Sequence, residues 1–231
     1  MVIIIIIIVI VSLLYYYYST PKLNIIQTWK DNRIPIKYLK LRNQLKKHNP
    51  HANYIFFTDN DIEIFIKTQF PQYINFFNNL PFKIQKIDFF RYLAVYYYGG
   101  VYFDLDYESL KPLSSLFNES NAIFPVEFLN NTDLILRQQG FKPLIGNYAF
   151  YAPKNHPFLK LIIDNIVNNR IKIKNNISQN KYVYYTTGPV MVTQSYLDFK
   201  DKLNVDLIKP NPFKKSHFGI YGKHMNMGSW K

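Results

Sequence analysis

The chain has 231 residues, enough for one domain of ordinary size and hardly enough for two. Hydrophobic residues make up 48% and aromatic residues 18%, which is enough to fill a core and excludes wholesale disorder. The absence of cysteine excludes disulfides, thiolate zinc sites and a cysteine nucleophile, and the net charge of +13 comes from lysines scattered along the chain, which favours a solvated surface over nucleic-acid binding.

The N-terminal segment is strongly apolar. Val2 to Tyr18 carry no charge and, as a helix, would be about 26 Å long, close to the ~30 Å hydrocarbon core of a bilayer. Tyr15 to Tyr18 would lie at the interface, where amphipathic rings are favoured. We therefore predict a transmembrane anchor over residues 1–20. The alternatives are a cleaved signal peptide, although no basic start or small-residue cleavage site is evident, and a buried β-strand.

Strands and helices alternate in the first part of the remaining chain. Short apolar runs at 23–29 and 54–57 predict strands, and Pro35 predicts a helix start that runs to about residue 48. The polar turn Thr58 to Asp61 is typical of a helix cap, followed by a helix to about residue 68.

The segment from Pro81 to Leu113 carries most of the information. Pro81 at a helix start and Gly99-Gly100 at its end match the usual asymmetry of helix termini. Apolar residues recur within this helix at spacings of three and four, which predicts a buried stripe. Asp88 and Arg91 lie three residues apart on another part of its surface, so both can point the same way.

A strand at 101–103 then delivers two carboxylates, Asp104 and Asp106, at its carboxyl end. Open α/β sheets place their ligands at such strand ends. Two carboxylates separated by one residue can approach one cation, and Mg²⁺ or Mn²⁺ held in this way binds diphosphates. The pattern alone is weak, because Asp59-Asn60-Asp61 fits it too and is read as turn chemistry.

The second half of the chain continues the alternation. We predict strands at 122–126, 145–151 and 205–208, helices after Pro157 and from Gly188-Pro189, and a polar loop at 172–181. No internal repeat or interdomain linker is evident. The whole predicts a single α/β layer domain over residues 21–231.

One longer sequence segment indicates that the carboxylate pair is more than a solvated turn. IQKIDFFRYLAVYYYGGVYFDLDYESLKPL resembles the signature of the DXD-containing glycosyltransferases related to the fungal initiating mannosyltransferase, the capsular polysaccharide enzymes and the large glucosylating toxins. The matching positions are Asp88, Arg91, Tyr92, Gly99, Gly100, Asp104, Asp106, Leu110, Pro112 and Leu113. Several fixed spacings in one segment make this a specific signal.

The resemblance extends over residues 23–231. Its further blocks are 25–30, 54–65, Gly146-Asn147 with 152–157, Thr187 to Pro189 with Thr193, and His224 with Gly228-Ser229-Trp230. Two positions depart from the family pattern. Ile26 stands where a His usually precedes the Gln of the opening strand, and Met225 stands where a second His often follows His224, which leaves room for a divergent or weakened enzyme.

The resemblance implies a GT-A-like fold: a central mixed, mostly parallel sheet flanked by helices. It also implies transfer of a sugar from a UDP- or GDP-linked donor to a glycan or other hydroxyl acceptor, with retention of configuration and with Mn²⁺ or Mg²⁺ as cofactor. Related enzymes commonly have a type II anchor with a lumenal domain in a Golgi- or ER-like membrane. Lys22, Lys30 and Arg33 follow the apolar segment here and favour the opposite sidedness, which stays open.

The roles of single residues also follow from the resemblance. Asp106 is expected to bind the metal directly, with Asp104 on ribose or metal-bound water and His224 as a further metal or phosphate contact. Asp88 and Arg91 would bind the donor sugar and phosphate, and Arg91 would assist the departing diphosphate. The remaining donor-binding candidates are Trp29 on the nucleobase, Asn147 on donor or acceptor, and Ser229 with Trp230 closing over the diphosphate.

Three other functions compete with this interpretation. A nucleotidyl- or phosphotransferase would need further acidic ligands, and the chain has few Glu residues. A catalytically degenerate member could serve as a membrane-associated nucleotide- or glycan-binding scaffold. A nucleic-acid binder would use the basic surface; we expect no nucleic-acid partner.

Overall fold

The computed structural model describes residues 22–114, 120–127, 143–173, 177–211, 213 and 216–228. Its strands form one six-stranded and one two-stranded sheet, in the order β2-β1-β3-β6-β5-β7 and β4-β8. The strands are β1 (Asn24–Thr28), β2 (Asn53–Phe57), β3 (Gly100–Phe103), β4 (Tyr107–Ser109), β5 (Ala122–Pro125), β6 (Ala149–Ala152), β7 (Val205–Ile208) and β8 (Gly222–His224).

The large sheet is mixed, as predicted. β1 pairs in parallel with β2 and β3, and β5 pairs in parallel with β7. β6 runs antiparallel to both of its neighbours, β3 and β5. The carboxyl ends of β1, β2, β3, β5 and β7 therefore meet at one edge of the sheet, which is where ligands bind in open α/β sheets.

Seven α-helices are described along the chain, together with 3₁₀ turns at Pro71–Tyr73 and Lys202–Asn204. The helices are α1 (Ile36–His48), α2 (Asp59–Gln69), α3 (Ile74–Asn78), α4 (Lys83–Tyr98), α5 (Pro157–Val167), α6 (Gln179–Thr186) and α7 (Pro189–Asp198). The predicted cap at Thr58 is confirmed as a capping box with Asp61.

Strand alternation divides the core between the two faces of the sheet. Ile26 and Tyr102 face the larger cluster, which is built from residues of α2, α4, α5 and α7, whereas their neighbours Ile25 and Val101 face a smaller cluster on the opposite side. Ile26, the position where the family pattern has a His, is fully buried in the larger cluster. Its side chain takes part in packing rather than in ligand binding.

The glycine pair that ends α4 is required by the backbone. Gly99 (φ +67°) and Gly100 (φ +107°) both have positive φ, and a Cβ on Gly100 would clash with the backbone carbonyl of Asn24 in β1. The pair thus turns the chain from α4 directly into β3, which leads to the carboxylates.

Two predicted boundaries are wrong. The predicted loop at 172–181 ends early, because α6 begins at Gln179. The predicted strand at 145–151 is regular only from Ala149, since 145–148 form a bridge and bends at the edge of the sheet. Within the described residues no helix has the length and hydropathy to cross a bilayer. The predicted anchor at 1–20 lies outside them.

Candidate active site

The two sheets together bring three candidate metal ligands to one place. Asp104 follows β3 at the carboxyl edge, and Asp106 immediately precedes β4. β4 pairs antiparallel with β8 in a register that sets Tyr107 opposite His224. This pairing returns the C-terminal part of the chain to the carboxylates.

The side chains of Asp104, Asp106 and His224 form a group suited to a divalent cation. Their ligand atoms all lie within 4.8 Å of one another. The His224 Nε2 atom is 3.1 Å from Asp106 Oδ1 and 3.8 Å from Asp104 Oδ2. Carboxylate oxygens with one imidazole nitrogen fit Mn²⁺, and the carboxylates alone fit Mg²⁺. The residues present thus fit the implied metal.

The Asp106 carboxylate is stabilised in its charged form. Burial raises its pKa, but the hydrogen bond from His224 and the backbone N–H of Met227 outweigh burial and lower the pKa below its ordinary value. For His224 burial lowers the pKa, while its contacts with Asp106 and Asp104 raise it above the ordinary value. His224 and the two carboxylates therefore stabilise each other's charged forms.

The segment after β8 is fastened to the carboxylates by its backbone. The Met225 N–H donates to the Asp106 carbonyl at 3.0 Å, and the Met227 N–H donates to Asp106 Oδ2 at 2.8 Å. Met225, which replaces the family's second His, contributes this backbone contact instead. The donor-binding candidates Ser229 and Trp230 come directly after this segment and lie outside the described residues.

A buried ion-pair network lies beside this candidate metal-binding group. Arg91 Nη2 is 3.1 Å from Asp88 Oδ1, and Arg91 Nη1 is 3.2 Å from Asp104 Oδ1. The guanidinium stacks over the Tyr102 ring at 4.6 Å, and the Tyr102 hydroxyl donates to Asp104 Oδ1 at 2.9 Å. The prediction that Asp88 and Arg91 share a direction is correct. Their placement on the helix surface is wrong, because both side chains are almost fully buried.

Two residues outside α4 donate further hydrogen bonds to Asp88. The Asn147 side-chain amide donates to Asp88 Oδ1 at 3.0 Å, and the Thr187 hydroxyl donates to Asp88 Oδ2 at 2.9 Å. Arg91 Nη1 donates to the Asn147 carbonyl at 2.7 Å. Asn147 and Thr187 therefore hold the Asp88–Arg91 pair from two other parts of the chain.

The two members of this pair respond differently to burial. Burial raises the pKa of Asp88 to about 6, against the opposing effects of Arg91 and the Thr187 hydrogen bond. Burial also lowers the pKa of Arg91, but the charge of Asp104 and the neighbouring Tyr102 and Asp88 raise it above its ordinary value. Arg91 therefore stays charged, and Asp88 is the member of the pair whose charged form burial disfavours.

A cavity of about 400 Å³ opens at this edge of the sheet and is lined by Asp88, Arg91, Asp104, Asn147 and His224. Trp29, directly after β1, lines it as well, and its ring lies against Tyr38 with 4.8 Å between centroids. The indole N–H of Trp29 has no hydrogen-bond partner in the part of the chain that is described. An aromatic side chain in a cavity wall suits a planar ligand.

The structure thus brings together the predicted site residues that it describes. Asp104, Asp106 and His224 form the candidate metal-binding group, while Trp29, Asp88, Arg91 and Asn147 line the adjoining cavity.

Sequence reasoning missed three contributors to this site. Thr187 was recognised only in a helix start and in a block of the family resemblance, and neither pattern indicated its bond to Asp88. Tyr148 follows the recognised Asn147, and its ring stacks on His224 at 4.4 Å. Glu127 lines the cavity beside them, and no pattern in the neighbouring sequence indicated this.

The fold and the carboxylate group resemble those of the DXD-containing glycosyltransferases. Residues 35–123 match the family described as glycosyltransferase sugar-binding region containing DXD motif. The matched range contains Asp88, Arg91, Asp104 and Asp106. The resemblance stated from the sequence is thereby confirmed.

The chain is similar to several fungal mannosyltransferases. It is 30% identical to inositol phosphoceramide mannosyltransferase 1 of Schizosaccharomyces pombe, covering 76% of this chain and 51% of the relative. It is 26% identical to initiation-specific alpha-1,6-mannosyltransferase of Candida albicans, covering 83% and 55%. The chain spans about half the length of the curated relatives it matches.

A solved structure shares the fold. The PaToxG glycosyltransferase superposes with a TM-score of 0.56 and 20% sequence identity, covering 84% of this chain and 76% of that chain. The predicted glycosyltransferase-type α/β fold is confirmed by this match.

Proposed function

We propose that the chain transfers a sugar from a nucleoside diphosphate to an acceptor hydroxyl, with a divalent cation bound by Asp104, Asp106 and His224. The single observation that carries this proposal is the convergence of those three side chains, within 4.8 Å, beside the buried Arg91. A cation bound there supplies positive charge to the donor diphosphate. The cation would be Mn²⁺ or Mg²⁺, as predicted from the sequence.

The chain's own residues have distinct parts in this reaction. Arg91 presents a permanently charged, planar set of donors at the cavity wall and stabilises charge on the departing diphosphate. Asp88, Asn147 and Thr187 hold the guanidinium in place. The bond between the anomeric carbon and the donor phosphate oxygen breaks, a bond to the acceptor oxygen forms, and the acceptor proton leaves with the diphosphate. Departure and attack on one face of the sugar give retention of configuration.

The relatives suggest the sugar and the acceptor class. Their names specify mannosyl transfer, and one names an inositol phosphoceramide as acceptor. We therefore propose a mannosyl donor and a glycan or glycolipid hydroxyl as acceptor, with the catalytic domain held at a membrane by residues 1–20. Trp29 is proposed to stack on the nucleobase, and Ser229 and Trp230 to close over the diphosphate.

The experiment that tests the proposal uses the full chain in detergent. A panel of UDP- and GDP-sugars is assayed for release of nucleoside diphosphate with Mn²⁺, with Mg²⁺ and with EDTA, and donor binding is measured by calorimetry in the same samples. We expect release or binding with one donor, lost in EDTA and reduced at least about 100-fold by Asp106→Asn.

Asp164→Asn is the matched control, because Asp164 is a half-exposed carboxylate that pairs with Lys160 on α5. It should behave as the wild type. If neither turnover nor metal-dependent binding of any donor is found, the enzyme interpretation is wrong. The degenerate scaffold then takes its place.

A further inference from the structure

We propose that Glu127 binds hydroxyl groups of the transferred sugar, and that Gly146 is required to seat its carboxylate. This inference rests on the proposed function and assigns the sugar end of the same cavity. Glu127 lines the cavity together with Asp104, Asn147 and His224.

The backbone places Glu127 firmly at the carboxyl edge of the large sheet. It follows β5 by two residues, and its N–H donates to the Leu144 carbonyl at 2.9 Å. The Gly146 N–H donates to the Pro125 carbonyl at 2.9 Å, and Val126 forms a bridge with Ile145. Pairing of 125–127 with 144–146 therefore carries Glu127 to the same edge as Asp104.

Gly146 leaves the space that the Glu127 carboxylate occupies. A Cβ on Gly146 would lie 2.6 Å from Glu127 Oε1 and 2.8 Å from Tyr148 Cε1. Real Cβ atoms do not approach other atoms so closely, so a larger residue at 146 would displace the carboxylate or the Tyr148 ring. The glycine and the acid are matched to each other.

The order of the strands indicates which part of the donor Glu127 meets. Along the sheet β1, β3, β6 and β5 are successive neighbours. Trp29 follows β1, the metal-binding carboxylates follow β3, and Glu127 follows β5, so Trp29 and Glu127 belong to strands about 14 Å apart. A nucleotide sugar has its base, diphosphate and sugar in the same linear order. With the base at Trp29 and the diphosphate at Asp104, the sugar reaches Glu127.

Charge supports the same assignment. A carboxylate repels phosphate, and among the described residues Glu127 is not part of the group that could hold the cation. A carboxylate accepts hydrogen bonds from neutral hydroxyls, of which a sugar offers several on adjacent carbons. Glu127 is therefore suited to the polyol end of the donor and unsuited to the diphosphate end.

The test compares two probes on the full chain with Mn²⁺: a nucleoside diphosphate alone and the corresponding nucleotide sugar. Both dissociation constants are measured by calorimetry for the wild type, Glu127→Gln and Gly146→Ala. We expect both variants to bind the nucleoside diphosphate within about twofold of the wild type. Binding of the nucleotide sugar should weaken at least about tenfold, since a hydrogen bond to a charged group is lost.

Two further variants make the result specific. Glu63→Gln removes an exposed carboxylate on α2 and should change neither constant. Glu127→Asp keeps the charge on a shorter side chain and should weaken binding of the nucleotide sugar alone, by less than Glu127→Gln. Unchanged sugar binding in Glu127→Gln, or equal weakening of both probes, would overturn the assignment while the proposed function stands. A wild-type chain that binds neither probe would overturn both.

Discussion

Arg91–Asp88 and Arg170–Asp198 are Arg–Asp pairs of the same chemistry in opposite surroundings. Arg91 and Asp88 have side chains that are 4% and 5% exposed, whereas those of Arg170 and Asp198 are 49% and 25% exposed. The surface pair has two parallel hydrogen bonds of 2.9 and 3.1 Å. The buried pair has a single contact of 3.1 Å, so it is not set apart by better pairing geometry; burial and neighbouring residues set it apart.

The difference shows why the buried pair points to function. A surface pair gains little because water competes for both charges. A buried pair must repay the removal of both ions from water, and it is tolerated only when other groups satisfy it. Arg91 also contacts Asp104, and Asp88 accepts bonds from Asn147 and Thr187. These extra partners tie the pair to the candidate metal site.

The largest effect should come from breaking the buried pair. Arg91→Lys cannot contact Asp88 and Asp104 together with one compact ammonium, which leaves buried carboxylates poorly compensated. We expect about 3 kcal/mol lower stability in urea unfolding and at least about 100-fold slower turnover. Arg170→Lys, the matched change at the surface pair, should stay within about 0.5 kcal/mol and leave turnover unchanged. Equal effects of Arg91→Lys and Arg170→Lys would show that burial does not distinguish the two pairs.

A second effect should appear in the pH dependence of stability. Because the folded pKa of Asp88 is raised to about 6 from an unfolded value near 3.9, folded Asp88 holds its proton where the unfolded chain has lost it. Its contribution to stability is thus present below about pH 4 and is lost as pH rises through about 6.

The free energy of unfolding of the wild type, minus that of Asp88→Asn, should fall by on the order of 2 to 3 kcal/mol between pH 4 and pH 7. The part of the Asp88→Asn effect on stability that does not depend on pH cancels from this change between pH 4 and pH 7. Asp198→Asn at the surface pair should show no comparable decline. A difference that rises over the same range would mean that Arg91 dominates the titration of Asp88.

A smaller effect should follow from removing one supporting hydrogen bond. Thr187→Val keeps the shape of a fully buried side chain but deletes the donor to Asp88. We expect a loss of about 1 to 3 kcal/mol in urea unfolding, as for a hydrogen bond to a charged group. Thr68→Val deletes an exposed hydroxyl of α2 and should cost less than about 0.5 kcal/mol. If Thr187→Val leaves the free energy of unfolding unchanged, Asp88 does not need the hydrogen bond from Thr187.

The smallest effect should be the coupling within the surface pair. A double-mutant cycle on Arg170 and Asp198 should give about 0.5 kcal/mol at low ionic strength and less in 1 M NaCl. The stability cost of Arg91→Lys should change little over the same salt range, because the pair is out of reach of counterions. A surface coupling that persists in high salt would contradict the contrast between the pairs.

Local features of the site were predictable from the sequence. The end of α4 at Gly99-Gly100, the short strand behind it and the carboxylates at its carboxyl end are encoded in neighbouring residues. The common direction of Asp88 and Arg91 follows from their spacing on one helix. These elements depend on helix periodicity and turn chemistry, which a single segment specifies.

Apart from the His224 contact with the carboxylates, which the family resemblance implied, the long-range contacts were not predictable. β4 and β8 are three residues each and lie more than 100 residues apart in the chain, so neither has a periodic pattern of its own. The burial of Asp88 depends on Asn147 and Thr187, which reach it from distant segments. Glu127 lines the cavity beside Gly146, whose missing Cβ leaves room for its carboxylate.

The most direct measurement of the central claim is a crystal structure of the full chain grown with Mn²⁺ and a nucleoside diphosphate, with anomalous data collected at the manganese edge. The account predicts one anomalous peak contacted by Asp106, near Asp104 and His224, with the diphosphate on the side of Arg91. A peak elsewhere, or nucleotide bound away from these residues, would contradict it.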